Sequence, residues 1–422
     1  MKKSLLFLLF IVITLYVSGQ EQINYDEAKA GNYILPDPLV FPNGKKVHSV
    51  KSWESKRRPQ ILKAFEDQMF GRIPEKLKIT HYRVVEESNQ TPYKNGRRKQ
   101  VEMVLEKGGK TLRIGMLMYL PQNRIKSPVF LGYNFDGNHA VNLDPAVIIS
   151  DSWCDNNPSV GITSNRFTEQ SRGLESGRWP IQMILDAGYG VATIYYGDVD
   201  PDRNDFTDGV HPFCYKKGQV KPLPGEWGAI AAWSWGLSRA LDYLETDPAV
   251  DASKVMVIGH SRLGKTALWA GALDPRFTVV ISNDSGCGGA ALSRRIFGET
   301  VKRINTSFPH WFCDNFKAYN DKENSLPFDQ HELIALIAPR PVYIASAQDD
   351  LWADPKGEYL SGFYATPVYH LYGKSGLESP EMPPVSQPVM NRIGYHIRPG
   401  KHDITPYDWE QFIKFADLNL RN

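Results

Sequence analysis

Cysteine is scarce in this 422-residue chain: Cys154, Cys214, Cys287 and Cys313 are the only four, and none forms a C-x-x-C pair. Their number and spacing exclude a disulfide-stapled scaffold and the usual zinc and redox signatures. Cys287 and Cys313 are a candidate bridge in an exported protein, although buried free thiols are the expected state. Beyond residue 20 no apolar run approaches the roughly 20 residues that a membrane-spanning helix needs. An excess of charge is missing too: Lys and Arg number 49 against 47 Asp and Glu. Two of the basic residues, Lys2 and Lys3, belong to a leader, and without them the signs balance at 47 each. A neutral chain with no basic run offers no footing for nucleic acid or for an anionic membrane surface. Internal repeats and low-complexity linkers are absent as well.

What is present is the composition of a globular enzyme. Hydrophobic residues make up 42% and charged residues 23%, and 34 Gly, 29 Pro and 10 Trp point to long loops with aromatic surfaces. The length allows one large α/β domain or two ordinary ones. At the start, Lys2 and Lys3 precede the apolar run Leu5–Val17, followed by the small residues Ser18 and Gly19. That pattern predicts a secretory signal peptide over residues 1–19, too short in its apolar part for a bilayer anchor. No Cys lies near the cleavage point, so lipoprotein processing is not indicated. The expected mature protein is exported, to periplasm or medium, as a single domain over residues 20–422 with an extended lead from Gln20 to about Lys51.

Alternating apolar residues in Ile79–Glu86, Gln100–Leu105 and Leu112–Leu120 predict antiparallel strands. Compact apolar runs follow at Val129–Tyr133, Val191–Tyr195, Val255–Ile258, Val279–Ser282 and Val342–Ala345. Such runs fit strands buried on both faces of a parallel sheet. Helical patterns lie between them, clearest at Trp227–Leu244 and after Leu263. The alternation predicts an α/β sheet covered by helices on both faces, a three-layer sandwich with antiparallel strands at its start. The stretches 150–180, 200–224 and 379–389 read as long surface loops of the kind that shape binding sites.

The segment Lys254–Thr266, KVMVIGHSRLGKT, runs strand, glycine, serine, glycine, helix. Gly259–Thr266 matches the phosphate loop G-x-x-x-x-G-K-[ST]. The same residues read as a nucleophile elbow around Ser261, with the second glycine, Gly264, one place later than in G-x-S-x-G. Chain order favours the elbow. An elbow serine is followed by an acid and then a histidine; Asp349 and Asp350 end the run VYIASAQ, and His402 sits in GYHIRPGKHDI. A serine hydroxyl is a weak nucleophile until a histidine takes its proton, and a carboxylate orients that imidazole. A phosphate loop commonly follows the first strand of its domain, whereas this one lies past residue 250.

The blocks GHSRLGK, DSGCGGAALSRR, FPHWF, LPFDQHEL, DDLWADP and GYHIRPGKHD, in that order over roughly residues 129–420, resemble the glucuronoyl esterases of carbohydrate esterase family 15, in particular its bacterial branch. The resemblance implies an α/β-hydrolase fold and cleavage of the ester between 4-O-methyl-glucuronic acid branches of glucuronoxylan and lignin alcohols, with no metal and no cofactor. It implies Ser261 as nucleophile, His402 as general base and Arg262 in the oxyanion hole. Two positions match the family's acid, Asp284 and Asp350: Asp284 replaces the commoner Glu and is one methylene shorter in its reach to His402, so Asp350 is favoured, with Asp284 assisting or substituting. Asp349 reads as a solvated neighbour and Asp403 as pointing away.

By the same resemblance Lys265 and Glu299 bind sugar hydroxyls, and Trp352 stands beside the sugar. Asn134 and His139 are candidates for the oxyanion side or for an exposed loop, and His310 for a ligand contact or a structural role. His260 stands where fungal relatives have a cysteine tied to the histidine loop, so here packing has to hold that loop. Glucuronoxylan and lignin–carbohydrate esters are the expected partners, and the oligomeric state is left open. The competing readings are an acetyl or feruloyl xylan esterase and a non-catalytic carbohydrate-binding relative.

Overall fold

The computed structural model describes residues 23–420, so the predicted signal peptide lies outside the described residues. Ten strands build one sheet: β1 His81–Ser88, β2 Gly96–Lys107, β3 Lys110–Pro121, β4 Ser127–Asn134, β5 Gly190–Tyr195, β6 Val250–His260, β7 Val279–Asn283, β8 Val342–Ala347, β9 Val389–Met390 and β10 Ile393–Arg398. Their order across the sheet is β1-β2-β3-β5-β4-β6-β7-β8-β10-β9. From β5 to β10 neighbours are parallel; β1, β2 and β3 pair antiparallel with one another, β3 pairs antiparallel with β5, and β9 does so with β10.

Side-chain alternation decides which helix covers which face. In β6, Val255 and Val257 join one buried cluster while Met256 and Ile258 join the other; β4 splits Leu131 from Phe130 and β8 splits Ile344 from Tyr343 in the same way. A period of two puts successive side chains on opposite faces, and a strand apolar at every position demands cover on both. The first cluster takes in helices Ala229–Leu244, Arg262–Leu273, Gln330–Ala335 and Pro355–Leu371, and the helical segment around Phe65. The second is closed by Ile181–Asp186 and Pro406–Leu420. This mostly parallel three-layer arrangement is an α/β-hydrolase fold.

Every strand run anticipated from the sequence is present, with ends shifted by a few residues. β6 starts at Val250 rather than Val255, because polar Asp251, Ser253 and Lys254 interrupt the apolar signal where the pairing with β4 shifts register between Ser127–Val250 and Val129–Val255. Sequence reading missed the two-residue β9 and, of more consequence, β10, IGYHIR. Its His396 and Arg398 look like loop residues, yet both are buried against Asp408: His396 Nε2 lies 2.8 Å from Asp408 Oδ1, and Arg398 Nε donates to Oδ2 at 2.8 Å. The carboxyl ends of β6, β7, β8 and β10 point to one edge, and the segments after them carry Ser261, Asp284, Asp350 and His402, where an open α/β sheet offers its crevice.

Candidate active site

Ser261 joins β6 to the helix Arg262–Leu273 at φ 58° and ψ −130°. A non-glycine residue held there stores of order 1–3 kcal/mol and persists only when its surroundings over-determine it. Here Ser261 N–H donates to the Asn283 carbonyl at 2.9 Å, and the Ser261 carbonyl accepts from Gly264 N–H at 2.9 Å. A Cβ on Gly259 would lie 1.9 Å from the Leu263 carbonyl oxygen, so the turn closes only over a glycine. At Gly264 a Cβ would meet Ser285 Cβ at 3.0 Å and Ser282 Oγ at 3.1 Å. The late second glycine therefore serves the packing of the helix against β7 and its loop.

His402 Nδ1 and Asp350 Oδ2 are 2.6 Å apart, the carboxylate buried and the imidazole side chain 40% exposed. Asp284, also buried, sits close by: one oxygen of each carboxylate and a ring nitrogen of His402 lie within 4.8 Å of one another. Its bonds go elsewhere, however. Asp284 Oδ1 accepts from Ala347 N–H at 2.7 Å, and Oδ2 faces Arg398 Nη2 and Asp403 N at 3.4 Å each. Burial first, then the nearby carboxylates of Glu358 and Asp350, push the Asp284 carboxyl well above the usual range. Among the described residues this trio is the one group with metal-ligand chemistry. The Arg398 guanidinium beside it and the direct His402–Asp350 bond leave it ill suited to a cation.

The His402 loop is fastened in two ways. Gln348 and Asp349 donate backbone N–H groups to the carbonyls of Arg398 and Gly400, at 2.8 and 3.0 Å. The ring of His260 packs on that of His402 with centroids 4.5 Å apart, its Nδ1 2.6 Å from Asn283 Oδ1. Burial first, and then the neighbouring His402, hold His260 well below the usual histidine range. Asp403 turns away to Arg178, Oδ1 to Nε 2.7 Å, and Asp349 is exposed.

Ser261, Arg262, Lys265, Asp284, Glu299, Asp350, Trp352 and His402 all line one pocket of about 370 Å³. Lys265 is not a solvated lysine: it is 4% exposed, donates to the Ser285 carbonyl at 2.6 Å and lies 3.8 Å from Glu299 Oε2. Burial raises the Glu299 pKa against the opposing charge of Lys265. The Trp352 carbonyl accepts from Glu299 N–H at 3.0 Å, which couples the two sugar-side candidates through the backbone.

The family model described as "Glucuronyl esterase, fungi" matches residues 189–373. A solved promiscuous CE15 esterase from a marine bacterial metagenome shares 51% identity, covering 94% of this chain and 100% of its own, with a TM-score of 0.88. The glucuronoyl esterase of Solibacter usitatus superposes with a TM-score of 0.87 at 47% identity, over 93% of this chain and 99% of its own. A 4-O-methyl-glucuronoyl methylesterase of Wolfiporia cocos is 33% identical over 80% of this chain and 72% of that protein. The chain belongs to carbohydrate esterase family 15, the glucuronoyl esterases. It is a carboxylic ester hydrolase, which sets aside the non-catalytic and phosphate-loop readings.

Not every candidate reaches the esterase pocket. Asn134 is buried at the end of β4, donating to Asn138 Oδ1 and Thr193 Oγ1 at 2.7 and 2.9 Å. His139 is buried with Nε2 2.7 Å from Ser171 Oγ, and burial followed by the charge of Arg172 lowers its pKa to about 4. Both build the scaffold beneath the site rather than its wall. The four cysteines are free thiols, so the candidate Cys287–Cys313 bridge is not formed; burial raises the pKa of both.

Sequence reading missed Trp311, Phe308, Ser285 and Gly286, which complete the wall. The block FPHWF holds two of them, Phe308 and Trp311, whereas the residue type marks only its His310 as a candidate. His310 instead faces Asp202, Nε2 to Oδ1 2.7 Å. Asp202 carries no local signal at all, being one of several acidic residues in a loop.

Proposed function

We propose that this chain hydrolyses the ester between 4-O-methyl-glucuronic acid branches of glucuronoxylan and lignin alcohols, by two-step acyl transfer from a Ser261–His402–Asp350 triad. The observation that carries the reading is the short His402–Asp350 bond in the same pocket as a strained elbow serine and the Lys265–Glu299 pair. His402, held in one tautomer by Asp350, takes the Ser261 proton as the hydroxyl attacks the C6 carbonyl. The backbone N–H of Arg262, with its guanidinium, meets the developing oxyanion; such a donor is typically worth about 2.7–4 kcal/mol. The imidazolium then protonates the leaving alcohol, and a water activated by His402 releases the uronic acid. Lys265 and Glu299 bind sugar hydroxyls and Trp352 packs beside the ring. Asp284, its carboxyl disfavoured as an anion, supports the loop between β7 and β8 and is not the principal acid.

The relatives named as glucuronoyl esterases and methylesterase support the uronate ester. The solved relative described as promiscuous keeps other polysaccharide esters on the test panel. The leader Lys2–Gly19 supports export of the enzyme to periplasm or medium.

Hydrolysis of benzyl glucuronate by wild type and Ser261→Ala, beside acetylated xylan, tests the reading. Turnover of the glucuronate ester that vanishes with the serine is expected. Turnover that survives in Ser261→Ala would remove the elbow from the chemistry, and activity confined to acetylated xylan would move the substrate to an acetyl ester.

A further inference from the structure

Asp202 opens the loop that follows β5 and the short helical turn Tyr196–Val199. Its side chain is 6% exposed and accepts four hydrogen bonds on two oxygens. Oδ1 takes His310 Nε2 and Trp311 Nε1, both at 2.7 Å. Oδ2 takes Tyr196 Oη at 3.1 Å and Arg262 Nη1 at close contact. The Arg262 guanidinium in turn lies over three rings, with Cζ 5.1 Å from the centroid of Trp311, 5.6 Å from Phe135 and 5.9 Å from Phe308. One carboxylate thus joins three parts of the pocket encoded far apart: the elbow helix, the block FPHWF and the loop after β5. Burial alone would raise the Asp202 pKa; the bonds and charges of His310, Arg262 and Trp311 outweigh it and leave the carboxyl well below its usual range.

Asp202 lies against the residue next to the nucleophile, and it engages one arm of a guanidinium whose planar fork is otherwise directed by ring faces. A long arginine left free samples many rotamers and contributes little to a transition state; one fixed before the reaction needs no reorganisation during it. Because the carboxylate also offsets the arginine's charge, what it supplies is geometry rather than added positive potential.

We propose that Asp202 is a positioning residue of the esterase site, fixing the Arg262 guanidinium and the Trp311 ring beside Ser261. The inference rests on the functional reading above for the role of Arg262. A double-mutant cycle on the full chain tests it, with kcat and KM measured on benzyl glucuronate and melting temperature followed alongside. Asp202→Asn keeps size and loses charge; kcat should fall by about 10- to 100-fold, the cost of a small misplacement near the reacting atoms, with KM little changed. In an Arg262→Ala background the same change should cost no more than about twofold, since groups acting as one unit are non-additive. Equal factors in both backgrounds, or wild-type kcat in Asp202→Asn, would overturn the proposal.

Should Asp202→Asn fail to fold, Asp202→Glu keeps the charge one methylene out of place. A folded Asp202→Glu enzyme of reduced kcat is expected, and one of full kcat counts against the proposal. If wild type ignores glucuronate esters, the uronate reading fails, and the cycle is run with the same criteria on p-nitrophenyl acetate or whichever ester it does cleave. The two ideas thus fail separately.

Discussion

Two buried aspartates stand within reach of one imidazole, and the division of labour between them is a residue-scale question. Asp350 is bonded to His402, whereas Asp284 spends its oxygens on the Ala347 N–H and on Arg398. Asp350→Asn should therefore lower kcat by about 10⁴-fold, the penalty of presenting the wrong tautomer. Asp284→Asn, which still offers an oxygen to Ala347 N–H, should lose far less. Steady-state kinetics of the two variants on benzyl glucuronate decide it, and the opposite ranking would assign the acid to Asp284. Lys265 is a second case where environment overrides residue type. A surface lysine tolerates substitution, but this one is buried between Ser285 and Glu299. Lys265→Met should raise KM more than it lowers kcat if the ammonium binds sugar hydroxyls in ground and transition states alike; a KM unchanged from wild type would argue against sugar binding.

At the scale of elements, the elbow is a strand-to-helix turn with two glycines of unequal importance. A methyl at position 259 collides with backbone at 1.9 Å, while one at 264 meets its neighbours at 3.0–3.1 Å. Gly259→Ala should thus yield little folded protein. Gly264→Ala should fold with a loss within the roughly 1–3 kcal/mol typical of overpacking. Denaturant melts of the purified variants check this, and equal stability of the two would show that the Gly259 turn relaxes. The loop after β10 has a comparable anchor. Asp408 binds His396, Arg398 and both groups of Thr405. Removing one partner of such a buried pair costs about 3–5 kcal/mol, so Asp408→Ala should unfold at lower denaturant and loosen His402 with it.

Over the whole molecule, stability carries the signature of buried ionisable groups. His139, His260, His331 and His396 are all held below the usual histidine range, burial being the first cause in each. Between the unfolded value near 6.5 and the folded value of about 4, unfolded His139 binds a proton that the folded form does not. Its contribution is therefore complete above pH 6.5 and lost as pH falls towards 4. Glu358 acts with the opposite sign: burial raises it to about 8, so its ionisation weighs against the fold as pH rises from 4.5 towards 8. The two trends overlap, which makes a difference measurement the clean one. The gap in melting temperature between wild type and His139→Gln should narrow on acidification from pH 7 to pH 4.5. A gap independent of pH would mean that His139 titrates normally.

What the sequence determined by itself was whatever is encoded within a few residues or in chain order. Apolar runs marked the parallel strands because burial on both faces needs no long-range information. Gly259, Ser261 and the helix after them marked the elbow because a sharp turn is a local φ problem. The order of Ser261, Asp350 and His402 followed from the order of the strand ends that carry them. Tertiary structure decided the rest. β10 was hidden because its polar His396 and Arg398 are satisfied by Asp408, which lies in the next helix. The choice of Asp350 over Asp284 as the partner of His402 depended on which carboxylate had its oxygens free, and that was set by Ala347 and Arg398. The wall around Arg262 joins residues 60 and 108 positions apart through Asp202. A carboxylate in a loop has no periodicity to betray it, so only the folded chain could show which donors it meets.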